Sequence, residues 1–406
     1  MAQTTLNMTA MDAALKQLYD GQALVELSYK NNPTWALIPK EENFYGKNHP
    51  LPVQISLSAG VSNTFSNAQA NEAAPALYQF LVTRSRVYGI APVDRETLMA
   101  ASADEGAFLS AVQVNVNSTM RGVTNRVCAQ LFRDSTGVIG TNGGISTGVI
   151  TLTNAQDVVN FDLNMKLNAI TGGSPRAASG YVIAIDRAAG KVTVSTTLGG
   201  SAGTPSGWTS SDTLCPDGDY NSAFKGFAAW LPTTAPTSGD SFFGLDRSAD
   251  PVRLAGVRYD GSAQSIEEAL IDGCSLLTRE GGMPDVIVMG PQSFSNFQKA
   301  MAGRIQFVTI GGDAEWAFQA INFLVPGVGT VKVVQDRSCP VKLAYALQLD
   351  TWCFRSLGAA PEVQKDLVTG QMLRMASSDA GELRVSAYGQ LECNAPGFNG
   401  VIQLSA

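Results

Sequence analysis

The stretch from Ser102 to Phe132, SADEGAFLSAVQVNVNSTMRGVTNRVCAQLF, decides the fold. Ser102 and Glu105 have the spacing of a capping box, Asp104 favours a helix N-terminus, and Leu109, Val112, Val116, Met120, Val123, Val127 and Leu131 recur at three- and four-residue steps. One helix of roughly 45 Å is predicted at 1.5 Å per residue. Asp134-Ser135-Thr136-Gly137 ends it. So long a helix with a single apolar stripe suits a spine lying across a sheet.

Upstream, Val53, Ile55, Leu57 and Ala59 alternate with Gln54, Ser56 and Ser58, which reads as a half-buried strand. A second strand is predicted from Leu77 to Ile90, with Phe80, Val82, Arg84, Arg86 and Tyr88 on one face. The Gly/Asn/Ala-rich tip Gly60 to Ala76 joins the two. A lone hairpin is marginal in water, so this excursion is expected to rest on a partner surface. Residues 9 to 28 carry Met11, Leu15, Leu18, Leu24 and Val25 at helical spacing, and Asn31 to Pro50 forms an irregular, proline-containing arm.

Downstream, 146 to 240 turns to short β runs and Gly/Ser/Thr loops, with a hairpin predicted around Arg187-Ala188-Ala189-Gly190. Ser265 to Glu280 and Gln292 to Ala302 read as helices, and Val286 to Met289, Val331 to Val334 and Lys342 to Leu349 as strands. Gln371 to Ala376 and Glu382 to Cys393 read as a further hairpin. The fold class is α+β.

The chemistry is mostly negative. The 406 residues contain one histidine, His49, in a loop-like Lys-Asn-His-Pro context. Gly144-Ile145-Ser146-Thr147-Gly148 matches the nucleophile-elbow pattern, but no histidine follows it. Asp217-Gly218-Asp219-Tyr220-Asn221 starts like a calcium loop, then has Ser222 and Ala228 where Gly and Glu are needed. Gly327-Val328-Gly329 lacks the rest of a dinucleotide fingerprint. Six scattered cysteines show no zinc spacing and are read as reduced core residues. The carboxylate pairs Glu41-Glu42 and Glu267-Glu268 are read as solvated surface. No cofactor, metal or catalytic residue is predicted.

A formal charge of −7, from 28 basic and 35 acidic side chains, argues against a broad nucleic-acid-gripping surface. No apolar run is long enough to span a membrane, and the N-terminus has no secretory signal.

At residue level several stretches resemble tailed-bacteriophage (Caudoviricetes) major capsid proteins, whose shell fold is shared with encapsulins. They are Val93-Asp94-Arg95-Glu96-Thr97-Leu98-Met99, Leu131-Phe132-Arg133-Asp134-Ser135-Thr136-Gly137, Gly226-Phe227-Ala228-Ala229-Trp230-Leu231-Pro232, Phe243-Gly244-Leu245-Asp246-Arg247-Ser248, Asp336-Arg337-Ser338-Cys339-Pro340 and Tyr345-Ala346-Leu347-Gln348-Leu349-Asp350. Their order carries the likeness. The resemblance implies an N-terminal arm (1–50), an extended loop hairpin (51–91) and a peripheral domain with the spine (92–145). An inserted β-rich module (146–240), more peripheral domain (241–282), an axial domain (283–335) and return strands (336–406) would follow. It further implies a non-enzymatic subunit of icosahedral shells enclosing double-stranded DNA, built as homo-pentamers and homo-hexamers in the host bacterial cytoplasm and located in the virion. Scaffold, portal and decoration proteins would be partners, with DNA packaged without sequence specificity and no membrane contact.

Val53, Ile55, Leu57, Phe80, Val82, Arg84 and Arg86 would then be the inter-subunit residues of the extended loop, the two arginines bridging to acidic positions on a neighbour. Some members crosslink through an extended-loop lysine and an asparagine, but no lysine lies between Lys47 and Lys166, so no isopeptide is expected. About 50 residues before the loop leave little room for an internal scaffold segment, which implies a separate one. The alternatives are an encapsulin-type cargo shell and, remotely, an α+β enzyme with unassigned carboxylates.

Overall fold

The computed structural model describes residues 32–94, 105–301, 307–310, 318–325, 327–364, 373–374 and 380–405. The helix expected over residues 9 to 28 and the cap residues Ser102 and Asp104 lie outside them. The spine is one helix, Glu105–Gln130, about 39 Å long. Val123, Val127 and Leu131 are buried on its inner side, and Met120 packs at their edge.

The spine lies across a sheet of six strands built on the long strand Ala380–Cys393, which pairs with Ser85–Asp94, Trp352–Ser356, Glu362–Gln364 and Leu373–Arg374. Lys40–Glu41 adds in parallel beside Trp352–Ser356. The arm is therefore woven into the chain's own sheet, with Ile38 and Phe44 buried in its core. Gly89 sets the approach of helix to sheet, because a Cβ there would come within 2.7 Å of Thr119 and Val123.

A second sheet of seven strands runs in the order Val257–Gly261, Gly400–Leu404, Leu343–Leu347, Val286–Met289, Gly329–Gln335, Phe318–Val325, Phe307–Ile310. It draws strands from well before and well after residues 283–335. Helices Ile266–Arg279 and Pro291–Ala300 pack on it through Leu270, Leu277, Phe294 and Phe297. The first has a full capping box between Ser265 and Glu268, so one of the acidic residues read as plain surface is a helix cap.

The β-rich insertion is a closed barrel of six strands between Gly140 and Pro216, in the order Thr213–Pro216, Gly140–Ser146, Val149–Leu152, Lys191–Ser195, Ser174–Asp186, Lys166–Thr171. Closure comes from Thr213–Pro216 pairing with both Gly140–Ser146 and Lys166–Thr171. Its interior holds Ile150, Phe161, Leu167, Val182, Val192 and Leu214. The nucleophile-like motif is here a hairpin turn, Thr147-Gly148, with φ of 49° and 78°. The calcium-like residues are ties. Asp217 meets Lys166 Nζ at 2.7 Å, and Asp219 accepts from Arg126 Nε at 2.7 Å and Gln130 at 2.9 Å, anchoring the barrel's exit to the spine.

An aromatic cluster joins these parts. Phe132 at the spine's end meets Phe227, Phe227 meets Trp352 at 4.9 Å, and Trp230 meets Phe80 and Phe242. Gly226 permits it: a Cβ there would lie 2.1 Å from the Leu131 carbonyl.

Candidate assembly surface

The strand expected from Leu77 to Ile90 is interrupted at Arg84. Its first half, Leu77–Thr83, pairs antiparallel with Asn48–Gln54, from Asn48 opposite Thr83 to Gln54 opposite Leu77. Its second half, Ser85–Asp94, leaves the hairpin and joins the spine sheet. The first hairpin strand thus starts earlier than the Val53 to Ala59 alternation suggests, and it contains His49, which is no loop residue. Between the strands, the tip carries a short helix, Phe65–Ala70.

The hairpin has two faces. Leu51 opposite Phe80 and His49 opposite Val82 point inward. Phe80 and Val82 are fully buried in the chain's own core, and Val53 and Ile55 are half-buried against it. Four residues expected to reach a neighbour therefore fasten the hairpin to its own body. Leu81 N–H donates to the Phe243 carbonyl at 2.9 Å, and Arg253 donates to the Ile55 carbonyl.

Arg84 is also engaged internally, donating from Nη1 to the Phe44 carbonyl at 3.1 Å with its guanidinium over the Phe44 ring. Arg86 lies past the break, exposed on the spine sheet opposite Tyr388. The break explains why the expected common face fails. Before Arg84, even-numbered Phe80 and Val82 are buried; after it, even-numbered Arg86, Tyr88 and Ile90 are exposed.

At the root, His49 Nδ1 lies 3.1 Å from Glu392 Oε1, within ion-pair distance but without the alignment of a hydrogen bond. Glu392 is 1% exposed and is also held by Arg355 Nε at 2.8 Å, and Arg355 reaches Glu41 at 2.8 Å. Burial pushes the Glu392 carboxyl above its ordinary range, with Arg355 and His49 pulling it back. The root is thereby fixed to two strands of the spine sheet and to the arm.

The outer face and tip are apolar and uncovered. Leu57 is 81% exposed, Val61 86%, Phe65 83% and Leu77 70%, with Tyr78 and Leu81 less so. Of the seven expected contact residues only Leu57 belongs to this set. The missed residues had a signal: Leu77-Tyr78-Gln79-Phe80-Leu81-Val82 is apolar on both faces of an alternating strand, as a strand covered on both sides requires. From Gln54 to Thr83 the only charge is Glu72. Large apolar side chains exposed on a projection with one charge make this the candidate interaction surface. Among the described residues no His/Cys/Asp/Glu group could hold a metal ion, and no helix is long and apolar enough to cross a membrane.

No family model matches the sequence, and no curated protein matches it. Among solved structures, the chain is similar to the capsid asymmetric unit of cyanophage A-1(L), at a TM-score of 0.52 and 12% identity over 97% of this chain and 98% of that one. Weaker likenesses include the capsid of a native GTA particle (TM-score 0.45, 10% identity, 99% of both chains) and the holo-SrpI encapsulin complex from Synechococcus elongatus (TM-score 0.41, 9% identity, 99% of this chain and 96% of that one). Over nearly its whole length this chain has the tailed-phage capsid-protein fold.

Proposed function

We propose that this chain is the major capsid protein of a tailed phage, a non-enzymatic subunit that assembles into pentamers and hexamers of an icosahedral shell around double-stranded DNA. The observation that carries the reading is the hairpin: its inner face is fastened to the body by Phe80, Val82 and the His49–Glu392 contact, while Leu57, Val61, Phe65 and Leu77 stand uncovered. A second copy of the chain is the occupant that satisfies such a surface repeatedly. Head-to-tail contacts whose rotation closes generate rings, and rings of five and six tile a cage. A separate scaffold, a portal and decoration proteins complete the assembly, DNA is held without sequence specificity, and the shell forms in the bacterial cytoplasm to become the virion capsid. The hairpin contains no lysine between Asn48 and Thr83, so neighbours are held without an isopeptide from this loop.

The test is expression of the full chain, size exclusion and negative-stain electron microscopy of the largest species. Closed particles or rings of five or six are expected, and DNA-free particles filled with a cargo enzyme would move the reading to the encapsulin class. A monomer that stays monomeric with candidate scaffold added would overturn the shell reading.

A further inference from the structure

Strand Ser85–Asp94 is an edge of the spine sheet. It takes one side of Ala380–Cys393, while Leu373–Arg374, Glu362–Gln364 and Trp352–Ser356 take the other, so among the described residues no strand lies beyond it. Two observations fix which of its backbone groups face outward. The Tyr388 carbonyl accepts from Leu357 N–H on the far side of the sheet, so Arg86, opposite Tyr388, makes no bond to it. Pro92 has no N–H, and its carbonyl accepts from Asn115 of the spine at 3.2 Å instead of from the sheet. Antiparallel ladders alternate bonded and non-bonded pairs. Ser85, Val87, Gly89, Ala91 and Val93 therefore bond inward, and the N–H and C=O groups of Arg86, Tyr88 and Ile90 point out of the edge. Among the described residues those groups have no partner.

This edge is bare. Tyr88 is 52% and Ile90 56% exposed, Arg86 is exposed, and no charge lies between Val87 and Ala91. Such an edge is a template for another strand, and edges that stay unpaired are blunted. The hairpin shows the blunting. Leu81 N–H points outward to the Phe243 carbonyl, so Pro50, opposite Leu81, and Pro52, opposite Gln79, turn their nitrogens to the hairpin's outer edge, where neither offers a donor. Ser85–Asp94 has only Pro92, which closes one end.

The open groups are also self-complementary. When two copies lie antiparallel about a two-fold axis at Tyr88, Arg86 stands opposite the second copy's Ile90, Tyr88 opposite Tyr88, and Ile90 opposite the second copy's Arg86. Every open N–H then meets an open carbonyl, and no two arginines face each other. No other symmetric register engages all three residues, because a shift either way brings in Pro92 or Arg84.

We propose that the Arg86–Ile90 edge is an interface with the same edge of a second copy, joining two spine sheets across a two-fold axis. The contact is isologous, the same patch serving both sides. It stands on the edge alone and rests neither on the hairpin nor on the shell reading.

The test is Tyr88→Cys in the full chain, oxidised under native conditions and run on a non-reducing gel. Cα atoms of a bonded pair lie about 5.5 Å apart, within the span that a disulfide bridges. The parent and Leu163→Cys, exposed on the barrel, give the background. A cross-linked dimer is expected as the main product of Tyr88→Cys alone. Adding Ile90→Lys sets a lysine opposite Arg86 at both ends and should slow cross-linking about tenfold. Arg384, which faces Ile90 within the chain, is already paired with Glu382. Adding Arg86→Glu as well turns both contacts into opposite-charge pairs and should restore the rate. The three side chains are exposed, so the variants should fold, as circular dichroism checks. Cross-linking of Tyr88→Cys no faster than Leu163→Cys, or no faster loss with Ile90→Lys than without it, would overturn the pairing. So would hydrogen-exchange protection of the Arg86, Tyr88 and Ile90 amides without the cross-link, which would assign the edge to another segment. Particles without the cross-link would overturn this pairing and leave the shell reading standing, while a cross-linked dimer that never forms particles would do the reverse.

Discussion

Phe80 is the residue on which the hairpin's attachment turns. Its ring meets Trp230 at 5.2 Å and Phe242 at 6.1 Å, and it is wholly buried. Phe80→Ala is expected to cost about 3–5 kcal/mol in urea unfolding, the range for emptying a packed aromatic site. Asn399 is a second such point. Its Oδ1 accepts from Trp352 Nε1 at 2.7 Å and from Gln348 N–H at 2.8 Å, and its Nδ2 donates to Thr351 Oγ1 at 2.9 Å. Asn399→Leu fills the volume but leaves buried donors unmade, so a loss of about 2–5 kcal/mol is expected by the same measurement. Alternation alone made Phe80 and Val82 legible as one face of a strand. It could not say whether that face met the chain's own body or a neighbour, because a period of two reports burial and not the identity of what buries. Little local marked Asn399 either, since Gln348, Thr351 and Trp352 lie near residue 350 and only the Ala395 carbonyl is close in sequence.

Among the elements, the spine was legible because its apolar positions keep helical spacing over many turns, and the hairpin at Arg187-Ala188-Ala189-Gly190 because Asp186 and Lys191 do pair across it. The break at Arg84 was not, because both halves are extended and only their partners differ. Closure of the barrel was also beyond reach, since it depends on Thr213–Pro216 bridging strands about seventy and forty residues earlier in the chain. That closure makes a prediction. Leu214 sits opposite Gly140, so the insertion leaves and re-enters the body at neighbouring points. Replacing 140–216 by a short Gly/Ser linker should leave the two sheets and spine folded, checked by circular dichroism and by protection of Ala380–Cys393 in hydrogen exchange.

Within the barrel, burial works against the charge on Asp212. Hydrogen bonds from Arg176 and from Thr209 outweigh it and hold the carboxyl below its ordinary range. A depressed folded-state value means a stabilising contribution that is complete above the unfolded value near 3.9 and is lost as pH falls through the folded one. Barrel stability should therefore decline in acid below about pH 4, and Asp212→Asn should flatten that decline while lowering stability at neutral pH; intrinsic Trp208 fluorescence against urea at each pH would read it.

For the whole molecule, the separation of roles in the hairpin gives the sharpest outcome. Leu57→Asp with Val61→Asp alters side chains that touch solvent, so unfolding should shift by no more than about 0.5 kcal/mol. Particle formation in size exclusion should fall sharply, since each copy would bring two carboxylates into an apolar contact. The fold was legible because the elements follow one another in a fixed order, while the exposed apolar residues of the hairpin were only partly so: Leu57 was named and Val61 and Phe65 were not, since no alternation marks them.

Leu77–Thr83 and Ser85–Asp94 are two sheets' strands on one uninterrupted peptide. A pull that passes from the hairpin along the strand through Ser85 loads the ten cross-strand pairs from Ser85–Gly389 to Asp94–Ala380 side by side, in shear. Ladders opened from one end yield a pair at a time. Those sheared along their length resist as a block, so tension passed along this strand would be borne by a backbone ladder.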